Sequence, residues 1–434
     1  MSQLRRILGV RALALTMVNL TIGAGIFGLP ALAARELGVG ALFAYLVCMG
    51  LVGLVGLCLA EAGSRVLNAG GLYGYARASF GPVVGTVTGH LLWFANGAVG
   101  NAAVAVLLAD TLGVLVPWLA GPLPRAAVLV GYYAILVVVN VRGTRQGAGL
   151  SQVTTVLKLV PLVALVLCGL PFVHGANLHL GELPSARGLG RTSVLLFFAF
   201  MGFESGLGAS AEVSEPARTV PRALLFALTL VGATYLGLQI VAQGVLGPAL
   251  ATAGDAPLGA TAVAAFGPFG GTVMLLAAVL ATAGGVAADT LATSRVVHAL
   301  GLDGALPRRL GRVDDARATP AAAIVSYAVV CAVLALSGTF RVLATLSASG
   351  TLCVYLVCCV GVLRLRARGV RSEREPFVVP GGPLVPVLAA LTVLAVLGGL
   401  ERRDFLALGA MLGVTVILAL LRRREARRGN APGD

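Results

Sequence analysis

Long apolar runs separated by short polar blocks dominate the sequence. A helix needs about 20 apolar residues to cross a bilayer, and runs of that length recur along all 434 residues. We predict twelve spans, near residues 12–34, 38–62, 83–112, 126–141, 149–172, 191–211, 222–246, 268–298, 320–337, 341–363, 383–399 and 404–421. The pattern therefore predicts an all-α integral membrane protein.

Composition supports the same class of protein. Hydrophobic residues make up 58% of the chain and charged residues only 12%, whereas soluble domains carry about 45–50% and roughly 25%. A chain with so few charges cannot cover a water-facing surface, and its high hydrophobicity excludes an intrinsically disordered protein.

The distribution of arginine predicts the orientation. An even number of spans places both termini on one side of the membrane, and twenty-three arginines fall on that side against seven on the other. Because positive charge is retained in the cytoplasm, we expect cytoplasmic N- and C-termini and a location in the cytoplasmic (inner) cell membrane. The net charge of +14 is then explained by topology and contact with anionic lipid, not by nucleic-acid binding.

Two of the predicted spans are interrupted in the middle. The first contains MVNLTIGAGIFGLPALAA and the sixth LLFFAFMGFESGLGASAE, each with clustered glycines. A broken helix exposes carbonyls at the end of one half and N–H groups at the start of the next, and these partial charges can bind an ion or zwitterion. Close packing of glycine between helices is the alternative explanation.

Three segments carry a resemblance to a known family. TIGAGIFGLP at 21–30 resembles the first-helix signature of the amino acid–polyamine–organocation (APC) transporter superfamily. FFAFMGFES at 197–205, which continues into AEVSEPARTVPRA at 211–223, is similar to that superfamily's sixth helix and following loop. TSRVVHALGLDGALP at 293–307 resembles the end of its eighth helix.

The resemblance implies the LeuT-like fold, with about twelve transmembrane helices and discontinuous helices 1 and 6. Residues 1–366 would form a ten-helix transport core built from two inverted repeats of five helices, at about 12–172 and 191–363. Residues 367–434 would add a cytoplasmic loop, helices 11 and 12 and a basic tail.

The resemblance also implies a substrate site formed by the two interruptions. The main-chain N–H groups that would bind the substrate carboxylate belong to Gly23, Ala24, Gly25 and Ile26. The carbonyls that would bind the substrate ammonium lie near Thr21, Ile22, Phe197 and Phe200. The side chains that would shape the pocket are Phe198, which matches an aromatic that closes over the substrate, Met201 and Phe203. Asn101 could reach the substrate or instead bind neighbouring helices.

Lys158 is the only lysine among 32 basic residues. It lies about 13 Å into the fifth span at 1.5 Å per residue. A buried lysine can lose its proton, whereas arginine stays charged. In the resembling family, members that work without sodium carry a fifth-helix lysine where sodium-coupled relatives bind an ion. Lys158 is therefore a candidate for proton coupling, and the alternative is a permanently charged pin between the fifth and first helices.

Two acidic residues are further candidates for proton coupling. Glu204 could titrate, contact a cationic substrate or cap N–H groups freed by the sixth-helix break. Asp289 interrupts the eighth span and could pair with Lys158.

We therefore expect a secondary transporter that moves amino acids by alternating access, proton-coupled and sodium-independent. A sodium-independent exchanger of amino acids or polyamines is the alternative. The apolar surroundings favour neutral substrates, and Glu204 leaves room for cationic ones. A channel or membrane-embedded enzyme is disfavoured, because the sequence shows no filter segment, HExxH, GxSxG or P-loop. We expect no cofactor, catalytic residue or metal, and the sequence leaves the oligomeric state open.

Overall fold

The structure is a computed structural model of the whole chain. It describes residues 9–23, 25–66, 71–142, 148–204, 216–313, 319–371 and 376–429, with the side chains of 148–157, 216–217 and 422–429 excepted.

Helices make up nearly all of the described structure. Their bounds are α1 Val10–Thr21, α2 Leu29–Leu37, α3 Ala41–Arg65, α4 Gly71–Phe80, α5 Pro82–Leu91, α6 Gly100–Leu115, α7 Pro122–Val141, α8 Ala148–Gly169, α9 Ala186–Phe200, α10 Pro216–Leu246, α11 Pro257–Leu302, α12 Ala321–Ser337, α13 Phe340–Ala367, α14 Leu384–Leu397 and α15 Arg402–Gly429. A π-helical segment, Leu92–Val99, joins α5 to α6. The described ranges contain no β-strand.

Each of the twelve predicted spans overlaps at least one helix. Among the described residues, seven helical segments are long and apolar enough to cross a membrane by themselves, and four further apolar helices are shorter. The protein is thus an all-helical, multi-pass membrane protein, while the number of crossings stays a prediction. The sequence analysis did not predict α4, which is short and lies between two spans.

The first span is broken between α1 and α2. The last regular helical bond of α1 joins the Ile22 N–H to the Val18 carbonyl at 2.8 Å, after which the Gly23 N–H turns back to the Thr21 carbonyl at 2.6 Å. A short 3₁₀ turn, Gly25–Phe27, then leads into α2. Pro30 fits the start of α2 because a first-turn residue needs no N–H donor. The glycine cluster therefore ends one helix and starts another.

The sixth span is broken after α9. Met201 adopts an extended conformation (ψ 156°), and Gly202 has a φ of +109°, a value that L side chains rarely adopt. Helical backbone resumes at Phe203 and Glu204. The predicted interruption of the sixth span is thus present at Met201–Gly202.

Opposite ends of the helical bundle carry two groups of charged side chains. At one, which we call the Glu36 end, Glu36 at the end of α2 contacts Arg191 of α9 and Arg341 of α13. At the other, the Glu61 end, the fully buried Glu61 of α3 binds Arg65 at 2.8 Å and Arg366 of α13 at 2.5 Å. Each carboxylate joins helices that are distant in sequence, so the two groups fix how the helix ends meet.

Candidate functional site

The two helix breaks lie against each other. A Cβ atom placed on Gly202 would overlap the Leu20 carbonyl oxygen and lie 3.6 Å from the Thr21 nitrogen. Only a residue without a side chain permits this approach of backbone to backbone. The unwound end of α1 therefore contacts the unwound end of α9 directly.

Phe198 covers the start of the second half of the first span. Its ring lies 3.0 Å from the position of a Cβ on Gly25, and it packs edge-on against Phe340 of α13 with 5.9 Å between ring centroids. A Cβ on Gly28 would in turn lie 3.2 Å from the Phe340 ring. Phe198 therefore lies over Gly25, and its role as an aromatic cover for the substrate stays a prediction.

The other aromatic candidates point into the protein core. The rings of Phe197 and Phe203 both pack against Tyr355, with centroid distances of 5.7 and 5.8 Å, and Phe200 packs against Tyr235 at 5.1 Å. All three phenylalanines are fully buried. Their side chains anchor the broken sixth span to neighbouring helices.

Tyr235 of α10 joins the two breaks through its hydroxyl. The oxygen lies 3.1 Å from the Thr21 carbonyl and 3.0 Å from the Ala199 carbonyl. In a continuous helix the Ala199 carbonyl would accept from the N–H four residues on. Tyr235 therefore occupies main-chain groups that the breaks leave without their regular helical partners.

Lys158 binds a main-chain carbonyl at the first break. Its Nζ donates a 2.6 Å hydrogen bond to the main-chain oxygen of Asn19. The regular helical donor to that oxygen would be the Gly23 N–H, which instead bonds Thr21. Lys158 therefore stands at the break, as the sequence analysis expected, and joins α8 to α1.

Glu204 faces the π-helical segment between α5 and α6. Its carboxylate accepts a 2.8 Å bond from the Gly202 N–H and a 3.2 Å bond from the Asn96 amide. Asn96 is itself 3.4 Å from the Thr351 hydroxyl of α13. Of its three expected roles, capping of an N–H freed by the sixth break is the one present in this arrangement.

Asp289 of α11 is held by three neutral donors. The Asn101 amide donates to one carboxylate oxygen at 2.7 Å, as does the Tyr327 hydroxyl of α12, and the Thr293 hydroxyl donates to the other oxygen at 2.9 Å. Tyr133 of α7 completes the network by donating to the Asn101 amide oxygen at 2.7 Å. Asp289 therefore joins α6, α11 and α12, and its bonded partners do not include Lys158.

Asn101 binds neighbouring helices, which is one of the two roles that the sequence analysis left open for it. Besides Asp289, its amide donates to the Val286 carbonyl at 3.1 Å. It is 3% exposed, so its bonds bind neighbouring helices together.

Sequence reasoning missed Tyr235. The signal was its spacing, since Tyr235, Gln239 and Gln243 recur every four residues along the seventh span and all three are buried. This periodicity marks one polar face of a helix. Among the predicted site residues, Ala24 lies outside the described residues, as does most of the sixth-helix motif beyond Glu204.

Comparisons with known proteins identify the family. The family model described as "Amino acid permease" matches residues 8–413. The chain is 29% identical to the branched-chain amino acid permease BcaP of Lactococcus lactis over 94% of this chain and 93% of that protein. It is 30% identical to an uncharacterized transporter of Mycobacterium tuberculosis over 98% and 93% of the two chains. It is 26% identical to the serine/threonine exchanger SteT of Bacillus subtilis over 95% and 96%.

The family match covers nearly the whole chain, including both helix breaks and Lys158. These relatives are named as permeases, transporters and exchangers, not enzymes. The chain therefore belongs to the amino acid permease family of the APC superfamily, and it is a multi-pass membrane transporter.

Proposed function

We propose that this protein is a sodium-independent secondary transporter of neutral amino acids that works by alternating access. The observation that carries the proposal is the contact between the two helix breaks at Gly202 and Leu20, with Lys158 on the Asn19 carbonyl beside them. Broken helices in contact offer N–H groups to a carboxylate and carbonyls to an ammonium group. An amino acid carries both groups.

The surroundings of the breaks support a neutral side chain on the substrate. Phe198 covers Gly25 and Phe340 lies against Gly28, while Glu204 is already engaged by Gly202 and Asn96. A cationic side chain would have to displace those bonds. The names of two relatives, a branched-chain permease and a serine/threonine exchanger, also refer to neutral amino acids.

We propose Lys158 as the proton-coupling residue. Within the described part of the chain, its bonded partner is a carbonyl, and no carboxylate is hydrogen-bonded to it. A neutral amine still donates to a carbonyl, so Lys158 can lose its proton without losing this bond. Loss of the charge would weaken the attachment of α8 to α1, which connects protonation to the position of the first helix.

We propose Glu204 and Asp289 as further sites of protonation that contribute less to proton coupling than Lys158. Each accepts from two or more donors, so each already has partners that fix its position. We assign Glu204 to the shape of the sixth-helix break and Asp289 to the bracing of α6, α11 and α12.

We further propose twelve crossings, a five-plus-five inverted repeat and cytoplasmic termini. The breaks in the first and sixth spans support the repeat, because these spans correspond in such an arrangement. The excess of arginine supports the orientation. The Glu36 end then faces outwards and the Glu61 end faces the cytoplasm.

Reconstitution in proteoliposomes tests the proposal. Purified protein is assayed with labelled leucine, isoleucine, valine, serine, threonine, arginine and putrescine, with and without an imposed proton gradient and with sodium replaced by choline. We expect uptake of neutral amino acids that needs no sodium and increases with an inward proton gradient. Uptake of arginine or putrescine alone would contradict the proposed substrate class.

Lys158→Arg and Lys158→Ala separate coupling from anchoring. Arginine keeps a charge but does not release its proton, so it should preserve a structural pin and abolish proton-driven accumulation. Lys158→Ala should abolish both the attachment of α8 to α1 and proton-driven accumulation. An exchanger, which the name of SteT suggests for that relative, would instead show uptake only into liposomes preloaded with an amino acid.

A further inference from the structure

The Glu36 end holds a chain of ion pairs that crosses four elements. The Glu36 carboxylate contacts Arg341 at 2.6 Å through one oxygen and Arg191 through the other. Arg191 also contacts Glu401, which lies between α14 and α15, and Glu401 binds Arg403 at 3.0 Å. Arg191 is therefore shared by two carboxylates from different parts of the chain.

The segment between α14 and α15 touches α9 through backbone as well as charge. A Cβ placed on Gly399 would lie 2.5 Å from the Arg191 nitrogen and 2.7 Å from the Gly190 Cα. Two glycines at this crossing allow the main chains to meet. The backbone of the first half of the sixth span thus meets the α14–α15 segment directly beside Arg191.

The ion pairs lie next to the aromatic cover of the breaks. Arg341 follows Phe340 in sequence, and the Phe340 ring packs on Phe198. A small cavity at this end is lined by Glu36, Arg191, Thr192, Arg341 and Thr345. Thr345 is 8% exposed. A path from this end to the helix breaks has to pass the ion pairs and then the two phenylalanines.

Glu401 is charged under ordinary conditions. Its partial burial alone would raise its pKa, but Arg403 and Arg191 hold the pKa below its usual value. The carboxylate and the guanidinium of Arg191 therefore attract each other as full charges.

We propose that the segment between α14 and α15 is part of the outer gate, and that Glu401 holds α9 in the closed position through Arg191. The inference rests on the proposed alternating access. Two bonds close the gate: Glu36 to Arg341 joins α2 to α13, and Glu401 to Arg191 joins α9 to the last two helices. The outer half of the first span separates from α13, and that of the sixth span from the last two helices, only when these bonds break.

A reporter cysteine at Thr345 tests this gate. Thr345→Cys is made in a Cys168→Ser background, because Cys168 is exposed. The purified protein is placed in lipid nanodiscs, so that both faces are accessible whatever its orientation, and the rate of maleimide labelling at position 345 is followed by peptide mass spectrometry. Glu401→Gln should increase the rate roughly fivefold, the effect of losing one partly exposed ion pair. Glu36→Gln should increase it further, because Glu36 serves two arginines.

Glu182→Gln is the matched control, since Glu182 is exposed and lies in the segment before α9. It should label at the background rate. Glu401→Asp, which keeps the charge but shortens the side chain, is the second variant and should give an intermediate rate if Glu401→Gln does not fold. A background rate in Glu401→Gln or Glu401→Asp, with an increased rate in Glu36→Gln, would overturn the role of the α14–α15 segment.

Amino acid uptake by the Thr345→Cys background is measured separately in proteoliposomes. Absent uptake would contradict the proposed transport, whereas the labelling rates decide the gate. The two failures are therefore distinguishable.

Discussion

At the scale of single residues, Gly202 has the strictest requirement in the site. Its φ of +109° and its contact with the Leu20 carbonyl leave no room for a side chain. Gly202→Ala should reduce uptake more than tenfold, because the unfavourable backbone conformation alone costs about 1–3 kcal/mol and the Cβ would push the two breaks apart. Initial uptake rates in proteoliposomes measure the effect.

Gly53→Ala is the matched control for Gly202→Ala. Gly53 lies inside α3, where an added Cβ atom would meet open space, so alanine should leave uptake unchanged and favour the helix slightly. Equal uptake by Gly202→Ala and Gly53→Ala would show that the breaks do not need to touch.

Tyr235 should act through its hydroxyl alone. Tyr235→Phe removes the group that bonds the Thr21 and Ala199 carbonyls and keeps the ring that packs on Phe200. We expect uptake to fall about five- to tenfold, in keeping with roughly 1 kcal/mol for a hydrogen bond, while thermal stability in detergent changes little.

Tyr45→Phe provides the comparison for Tyr235→Phe. Tyr45 is equally buried, and its hydroxyl has no partner within the described structure. Its removal should therefore leave uptake at the parental level. If both variants lose the same activity, the effect of Tyr235→Phe is not specific to the helix breaks.

How much of the site could be predicted differs between side chains and main chain. Glycine clusters in TIGAGIFG and FFAFMGFES reveal where helices break, because glycine is the residue that such backbone requires. The isolated Lys158 was found because every other basic residue is arginine. Its partner, the Asn19 carbonyl, has no signature in sequence, since any residue supplies a carbonyl.

At the scale of helices, hydropathy predicted where the elements lie and failed to predict how they pair. The possibility that Asp289 pairs with Lys158, which the sequence left open, rested only on the two opposite charges. The structure compensates each charge with neutral groups instead, namely Asn101, Thr293 and Tyr327 for Asp289 and a carbonyl for Lys158. Such partners come from several helices, and their meeting depends on the packing of the whole bundle.

We predict that the hydrogen bonds around Asp289 stabilise the packing of α6, α11 and α12. Asp289→Asn removes the charge but keeps a side chain of the same size that can accept from Asn101 or Thr293. We expect lower thermal stability in detergent, because α6, α11 and α12 lose charge-assisted bonds, and retained proton-driven uptake. Tyr327→Phe should also lower the thermal stability in detergent.

The response of uptake to a proton gradient distinguishes Lys158 from Asp289 as the proton-coupling residue. If Asp289→Asn loses the response to the proton gradient while Lys158→Arg keeps it, coupling belongs to Asp289, and our assignment to Lys158 is wrong. A loss of response in Lys158→Arg alone agrees with the assignment.

At the scale of the whole molecule, the charges at the two ends have different neighbours. Glu61 is fully buried and binds two arginines together with the Val379 N–H at 2.8 Å, which fastens the segment after α13 to α3. The Glu36 pairs are partly exposed and border a cavity. Breaking a buried pair costs more than breaking an exposed one. In this closed arrangement, the Glu36 end is therefore the easier of the two to open.

The orientation of the bundle can be measured with two exposed positions at opposite ends. Trp118 follows α6 and is 70% exposed, and Arg368 ends α13 among the arginines assigned to the cytoplasm. In a Cys168→Ser background, Trp118→Cys should react with a membrane-impermeant maleimide in intact cells. Arg368→Cys should react only after the cells are permeabilised, because the positive-inside rule places that loop in the cytoplasm. The reverse pattern would invert the proposed topology and move the proposed gate at Glu36 and Glu401 to the cytoplasmic side.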